Sequence, residues 1–291
     1  MKSRLRGYAS IFAAAFFWGS SGTAAKYLFQ HNISPMLVVQ SRVIIAALFL
    51  AAILLVVKRK LLVISLADLK DFALLGVIGV AGSNYAYYMA IQVTSVGIAI
   101  LMQYTAPVMV ALYLLLTRQE RISRVKSLAI VLSLGGSTVM LGAFNPAVHI
   151  TAAGIFLGIV SAVCFAFFNV YNRVATKQYS IWTAVTWTLI CAGIFWVIID
   201  ILFGIETVHT GSLEVATLTG FSFTSVIFPY YFYFTGLRHL TPSTAVIVST
   251  LEPVVAILTS FLFLGETLGM SQIAGGIFIV SAVILLEVYR E

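Results

Sequence analysis

The sequence predicts an all-α integral membrane protein with ten transmembrane helices, arranged as two inverted repeats of five helices. Composition is the first reason, because 61% of the residues are hydrophobic and only 9% are charged, whereas soluble domains carry about 25% charged residues. The mean hydropathy of +1.05 also requires a surface that is largely in contact with lipid. The other two reasons are a series of apolar segments and a match between the two halves of the chain.

The apolar segments have the length of helices that cross a hydrocarbon layer about 30 Å thick. They are continuous apolar runs without alternation, which excludes a transmembrane barrel, and lipid-exposed backbone favours helices. The ten predicted segments are Leu5–Phe29, Pro35–Val57, Asp68–Ala90, Thr94–Leu116, Ser123–Gly142, Ile150–Arg173, Ile181–Gly204, Ser212–Leu237, Pro242–Leu264 and Gly269–Val288. Little length remains for a soluble catalytic domain.

The 17 lysines and arginines predict how the chain is oriented in the membrane. All except Lys26 and Arg42 lie in the N-terminal segment, in alternate connections or in the C-terminal tail, and the intervening connections have none. By the positive-inside rule, both termini are cytoplasmic, and the expected location is the inner membrane. The formal net charge of +7 therefore indicates topology, and we expect no nucleic-acid partner.

The two halves of the chain match at a shift of 146 residues, which is the difference between 231 and 85. Identical pairs at this shift include Tyr85 and Tyr231, Pro107 and Pro253, and Glu120 and Glu266. Five segments in each half is an odd number, so the repeats 1–146 and 147–291 are expected to be inverted in the membrane. Inverted repeats are typical of alternating-access transporters, whose substrate site lies near the midplane between the halves.

Several short motifs resemble the EamA family of the drug/metabolite transporter superfamily, and the resemblance covers essentially the whole chain. The motifs are Phe17-Trp18-Gly19-Ser20, Arg42 in the second segment, Glu252-Pro253-Val254, Leu264-Gly265-Glu266-Thr267-Leu268 and Gly275-Gly276. The first half departs from the pattern, with Ala106 in place of glutamate and Arg118-Gln119-Glu120 in place of Leu-Gly-Glu. The resemblance implies export or exchange of small metabolites, often amino acids.

The predicted function is therefore secondary transport of a small-molecule substrate, with amino acids favoured and protons as a candidate coupling ion. The sequence contains no ATP-binding motif, no catalytic serine motif and no set of metal ligands, so we expect no cofactor and no enzyme activity. Export of cationic or aromatic drug-like compounds is the alternative, followed by a non-transporting membrane protein or a membrane enzyme that acts on lipid. A monomer and a homodimer both remain open.

Glu252 is the foremost candidate for a functional residue. It lies about ten residues into the ninth segment, where a charged carboxylate costs about 2.5–3.5 kcal/mol on insertion scales. It should therefore be protonated, partnered or in contact with water. One interpretation is a group that binds a proton or an amine, and the other is a neutral carboxyl that bonds a neighbouring helix. Ser249 and Thr259 share its helical face.

Two prolines, Pro107 and Pro253, occupy equivalent places in the fourth and ninth segments. Each removes an internal hydrogen bond and weakens its helix at mid-depth. They are predicted either as hinges for alternation or as static kinks. Two glycine pairs, 135–136 and 275–276, allow close helix approach, either within the chain or across a dimer face.

Other polar and aromatic residues at mid-depth complete the predicted cavity. Tryptophan and tyrosine usually prefer the membrane interface, so their presence deeper in a segment suggests cavity lining. Arg42 lies about 10 Å deep at 1.5 Å per residue and could pair with Glu252 or with a substrate carboxylate. The predicted substrate-binding residues are Trp18, Arg42, Asn84, Tyr85, Tyr88, Gln103, Asn169, Tyr231, Ser249 and Glu252.

Overall fold

The computed structural model describes residues 2–30, 34–94, 96–142, 151–203, 212–265 and 267–289, and all of the regular structure in these ranges is helical. The predicted all-α class is confirmed. The α-helices are α1 (Lys2–Gln30), α2 (Pro35–Val57), α3 (Leu69–Leu74), α4 (Ser83–Val93), α5 (Val96–Gln103), α6 (Ala106–Leu116), α7 (Arg124–Met140), α8 (Ala152–Ala175), α9 (Ile181–Phe203), α10 (Ser212–Ser222), α11 (Phe228–Leu237), α12 (Pro242–Ser249), α13 (Glu252–Leu264) and α14 (Met270–Val288).

Hydropathy and length identify the helical stretches that can cross a membrane. Six stretches within the described ranges meet both criteria, with mean hydropathy between 1.9 and 2.4. They are Met36–Val57, Ile98–Leu116, Ala152–Ala175, Ile181–Phe203, Pro242–Phe263 and Met270–Val288. These helices carry many large apolar side chains on their outer faces, as expected for contact with lipid.

Two helical stretches are interrupted at equivalent points. One break separates α5, which ends at Gln103, from α6, which begins at Ala106, and the other separates α12, which ends at Ser249, from α13. Tight i→i+3 hydrogen bonds fill both breaks, including one from Thr250 N to Ile247 O of 3.1 Å. Pro107 and Pro253 follow the breaks as second residues of α6 and α13, where a missing N–H group costs little. The two prolines therefore sit at helix breaks in this conformation, and the hinge and the static kink both stay predictions.

Two other stretches contain π-helical turns, which connect α3 to α4 (Leu75–Gly82) and α10 to α11 (Phe223–Ile227). A shift of 146 residues places 75–82 on 221–228, so these irregular turns also occur at equivalent positions. π-Helical turns are rare and occur frequently at functional sites.

The glycine pairs pack against each other inside the chain. A Cβ atom added to Gly136 in α7 would lie 2.7 Å from the carbonyl oxygen of Gly275 in α14. The backbones of α7 and α14 are therefore in direct contact, which is the arrangement that small residues permit in membrane helices. Of the two alternatives for these glycines, packing within one chain accounts for Gly136 and Gly275.

Hydrogen bonds define two ends of the helix bundle. The Tyr8 hydroxyl in α1 donates to the Leu286 carbonyl in α14 at 3.0 Å, so the start of α1 and the end of α14 share what we term the near end. The Thr151 hydroxyl donates to the Val93 carbonyl at 2.9 Å, which places the start of α8 beside the end of α4 at the far end. The predicted outer connections, Phe144–His149 and Ile205–Gly211, lie outside the described residues, as does Glu266.

A polar cluster at the near end joins the α6–α7 turn to the start of α12. The Glu120 carboxylate forms an ion pair with Lys126 and accepts a hydrogen bond from the Ser243 hydroxyl at 2.5 Å. Ser243 belongs to the first turn of α12, where a negative charge is favoured by the helix dipole. Glu120 therefore has a structural role here, well away from the cavity described below.

Candidate functional site

A cavity lies between the first and second halves of the chain and has a volume of about 120 Å³. At about 10–15 Å³ per water on this measure, it has space for several water molecules or one small polar solute. Its described lining combines aromatic rings, hydroxyls, amides, one arginine and one glutamate. The lining residues are Trp18, Ser21, Gly22, Ala25, Arg42, Val43, Gly79, Ser83, Asn84, Tyr87, Tyr88, Gln103, Tyr104, Phe165, Phe168, Phe221, Ser225, Val226, Tyr230 and Glu252.

The cavity reaches towards the far end of the bundle and is filled by side chains towards the near end. Its lining extends to Ala25, which lies on the far side of the centre of α1. On the near side, Tyr233, Phe234 and Leu237 in α11 are at most 2% exposed. This packed layer separates the cavity from the near end in the observed conformation.

Arg42 in α2 is held at the cavity wall by Asn84 in α4. The Arg42 Nη2 atom donates to the Asn84 Oδ1 atom at 2.6 Å, and the Asn84 amide nitrogen donates to the Val80 carbonyl at 2.6 Å. The second bond fixes the orientation of the amide, so that its oxygen faces the arginine. The guanidinium carbon lies 5.7 Å from the centre of the Tyr88 ring, which is within the range of a cation–π interaction.

Glu252 is the first residue of α13, immediately after the helix break, and its half-buried side chain lines the cavity. The carboxyl lies within hydrogen-bonding reach of the Tyr104 hydroxyl, which comes from the other break. Helix α1 approaches this point closely, since a Cβ atom on Gly19 would lie 2.5 Å from the Glu252 carbonyl oxygen. The glycine of the Phe-Trp-Gly-Ser motif therefore allows α1 to pack beside the glutamate.

Gln103 links three helices at the wall of the cavity. Its Nε2 atom donates to the Ser161 hydroxyl at 2.9 Å and to the Ser83 hydroxyl at 3.2 Å. The Ser161 hydroxyl in turn donates to the Ser83 carbonyl at 2.9 Å. This network satisfies polar groups that would be costly to bury alone and ties α5 to α4 and α8.

An aromatic cluster surrounds Trp18. The Trp18 ring centre lies 5.1 Å from that of Tyr233 and 5.6 Å from that of Tyr230. The Tyr233 hydroxyl donates to the Asn169 Oδ1 atom at 2.5 Å and also lies within reach of Ser249. Asn169 and Ser249 are buried behind the lining and position Tyr233, so neither reaches the cavity directly in this conformation.

Six of the predicted substrate-binding residues line the cavity, namely Trp18, Arg42, Asn84, Tyr88, Gln103 and Glu252. Tyr85 and Tyr231 do not, which contradicts their predicted placement. Tyr85 is 40% exposed, with its ring 6.1 Å from that of Trp196, and Tyr231 stacks on Trp182 at 4.4 Å. Tyr85 follows Asn84 by about 100° around α4, and in that direction it meets Trp196 of α9 instead of the cavity.

The lining also contains residues that sequence reasoning did not select, chiefly Tyr87, Tyr104 and Tyr230. The i+3 spacing from Asn84 is a signal that could have identified Tyr87. Tyr104 directly follows Gln103 and precedes Pro107 by three residues, so the sequence could also have predicted its position at the helix break. Within the described part of the chain, no group of three or more histidine, cysteine, aspartate or glutamate side chains could hold a metal ion.

Comparison with known proteins gives a family and several relatives. The EamA-like transporter family matches the chain twice, over residues 5–142 and 152–288. The uncharacterized inner membrane transporter YicL of Salmonella typhimurium is 26% identical over 99% of this chain and 97% of its own length. An uncharacterized transporter of Archaeoglobus fulgidus is 32% identical over 72% of this chain and 74% of its own length.

A third relative carries a more specific name. The threonine/homoserine exporter RhtA of Salmonella typhimurium is 27% identical over 67% of this chain and 64% of its own length. A solved crystal structure shares the fold, with a TM-score of 0.79 over 99% of this chain and 96% of that chain, at 16% sequence identity. At that identity the likeness concerns the fold alone.

Proposed function

The chain belongs to the EamA-like transporter family, and from that premise we propose that it is a secondary transporter that exports or exchanges small amino acids. The observation that carries the proposal is a single cavity lined by both Arg42 and Glu252. A zwitterion offers a carboxylate to the arginine and an ammonium group to the glutamate, whereas a phosphorylated sugar would require several cations. The relative named for export of threonine and homoserine supports the same substrate class.

The architecture proposed for this function has ten transmembrane segments in two inverted five-helix repeats, 1–146 and 147–291. The double family match supports two units. The helix breaks before Pro107 and Pro253 and the π-helical turns recur at the shift of 146 residues, which supports their internal equivalence. Discontinuous helices at a midplane cavity are a feature of alternating-access transporters. Exchange between two packings of the halves would expose the cavity to each side in turn.

The proposed orientation places both termini in the cytoplasm, so the observed cavity is directed towards the outside and the near end is closed. The distribution of lysine and arginine supports this orientation. In a variant without Cys164 and Cys191, a cysteine placed at Phe144–His149 or Ile205–Gly211 is expected to react with an impermeant thiol reagent in intact cells. A cysteine at Ser65, in the connection after α2, should react only after permeabilisation. The reverse pattern would overturn the orientation.

The substrate class is tested by counterflow into proteoliposomes that contain the purified protein. Saturable exchange is expected with small neutral amino acids, because both charged groups of the substrate can be matched within the cavity. Protein-free liposomes give the background, and sugar phosphates serve as competitors of the wrong chemistry. Saturable sugar phosphate exchange without amino acid exchange would contradict the proposal.

A second candidate substrate class is cationic aromatic compounds. The specific observation in its favour is the ring cluster of Trp18, Tyr230 and Tyr233 beside the cavity that also holds Glu252. Aromatic rings attract cations, and a carboxylate adds to that attraction. The same counterflow panel separates the two classes, because a compound with no carboxylate gains nothing from Arg42.

A further inference from the structure

Arg42 is a buried cation whose hydrogen-bonding capacity is largely unused by the described residues. It is 9% exposed, its Nη2 atom is bonded to Asn84, and its Nε atom has no hydrogen-bond partner among those residues. A guanidinium has five N–H donors, and burying a donor without a partner carries a penalty. No aspartate or glutamate in the described ranges forms an ion pair with it. A carboxylate that enters from the cavity would supply acceptors for these donors.

The position of the guanidinium explains where such an anion would bind. Arg42 lines the cavity together with Asn84 and Tyr88, so its guanidinium borders the space that a solute would occupy. Asn84 occupies one donor and fixes the planar group in place, and Tyr88 lies alongside it at 5.7 Å. A planar guanidinium held in this way matches the two oxygens of a carboxylate.

We propose that Arg42 binds the carboxylate of the transported amino acid and thereby determines selectivity for substrates that carry one. The inference rests on the proposed function and extends it to a specific residue. Glu252 lies on the same cavity wall, close enough to interact electrostatically with Arg42, but the two are not within ion-pair distance. A solute with an anionic and a cationic group would find a partner for each of them in this cavity. Among the described lining residues, Arg42 is the one with a permanent positive charge.

The test compares an amino acid with its amide, in which a neutral group of similar size replaces the carboxylate. Wild-type protein in proteoliposomes is expected to prefer the amino acid by about 10- to 100-fold in apparent affinity, as for a charge-assisted hydrogen bond. In Arg42→Gln, affinity for the amino acid should fall by about this factor, while affinity for the amide stays unchanged. Arg42→Lys keeps the positive charge but loses the planar pair of N–H donors that matches a carboxylate, so it should retain part of the preference.

Arg173→Gln is the matched control, because Arg173 is an exposed arginine in α8 that does not line the cavity. Equal weakening of amino acid and amide by Arg42→Gln would overturn the inference, since a packing role predicts that result. An Arg42→Gln variant that still prefers the amino acid over the amide as strongly as the wild type would overturn the inference as well. If Arg42→Gln fails to insert, Arg42→Lys takes its place in the test. An undiminished preference of that variant for the amino acid over the amide would then overturn the inference. Absence of any amino acid exchange by the wild type would instead defeat the proposed function, and this inference with it.

Discussion

Glu252→Gln is expected to remove the pH-dependent part of transport and to slow substrate exchange by at least about tenfold. Within the described lining of the cavity, Glu252 is the carboxyl group, and it lies at the break between α12 and α13. Glutamine keeps the shape and stays within hydrogen-bonding reach of Tyr104, but it can neither take up a proton nor carry a negative charge. General acid–base groups of this kind typically contribute factors of 10² or more where a proton is transferred.

The groups that face Glu252 limit which other residues could account for a pH effect. Among the described residues they are Arg42 and the tyrosines Tyr87, Tyr104, Tyr230 and Tyr233. An arginine stays charged under all physiological conditions, and phenols are neutral near pH 7. A pH dependence between about pH 5 and 8 that arises in this cavity therefore points to the glutamate.

The experiment measures substrate flux in proteoliposomes as a function of an imposed pH gradient, together with substrate affinity at fixed pH. If Glu252 carries the coupled proton, the variant should insert normally and show flux that is independent of the gradient. If it only binds the substrate amine, affinity should fall while exchange persists. Glu287→Gln is the control, because Glu287 is a half-buried glutamate near the end of α14 and outside the cavity lining. A Glu252→Gln variant with unchanged affinity, rate and pH profile would show that the residue is structural.

Hydropathy predicted the long helices well, because lipid exposure imposes the same requirement on every turn of a membrane helix. Helix α2 covers the same residues, 35–57, as its predicted segment. The prolines marked the two helix breaks, since a missing N–H group has a local effect that a sequence reveals. The π-helical turns could not be predicted in this way. Gly76 lies in one of them, and a Cβ there would be 2.5 Å from the Thr188 carbonyl in α9, so the turn packs closely against a helix that is distant in the sequence.

For the candidate site, the sequence predicted how deep each residue lies in the membrane, but only partly which side of its helix faces the cavity. Counting residues from a segment end placed Trp18 and Glu252 at mid-membrane and Arg42 about 10 Å deep, and the structure brings all three to one cavity. The internal repeat gave undue weight to Tyr85 and Tyr231, because identical residues at equivalent positions can equally both lie outside the cavity lining. Which face of a helix meets the cavity depends on its neighbours, and that information is not contained in the periodicity of a uniformly apolar segment.

Gly136→Ala and Gly135→Ala are expected to change stability in opposite directions, although the two residues are adjacent in α7. Alanine is the better helix former by roughly 0.5–1 kcal/mol, so the substitution alone favours the folded helix. At Gly135 nothing lies within 4 Å of the added Cβ, and that gain should be kept. At Gly136 the Cβ would meet the Gly275 carbonyl oxygen at 2.7 Å and the Ile279 side chain at 2.9 Å.

The contact at Gly136 involves backbone of α14, which cannot move aside as a flexible side chain could. Separating α7 from α14 would loosen the packing on which membrane helices depend, at a cost of about 1–3 kcal/mol for an overpacked site. Thermal unfolding of the purified variants in detergent measures the difference, and Gly136→Ala should melt several degrees below both wild type and Gly135→Ala. Equal melting temperatures for the two alanine variants would show that α7 and α14 are not in backbone contact. A lower melting temperature for Gly135→Ala alone would show that the face of α7 with Gly135, and not the face with Gly136, packs against α14.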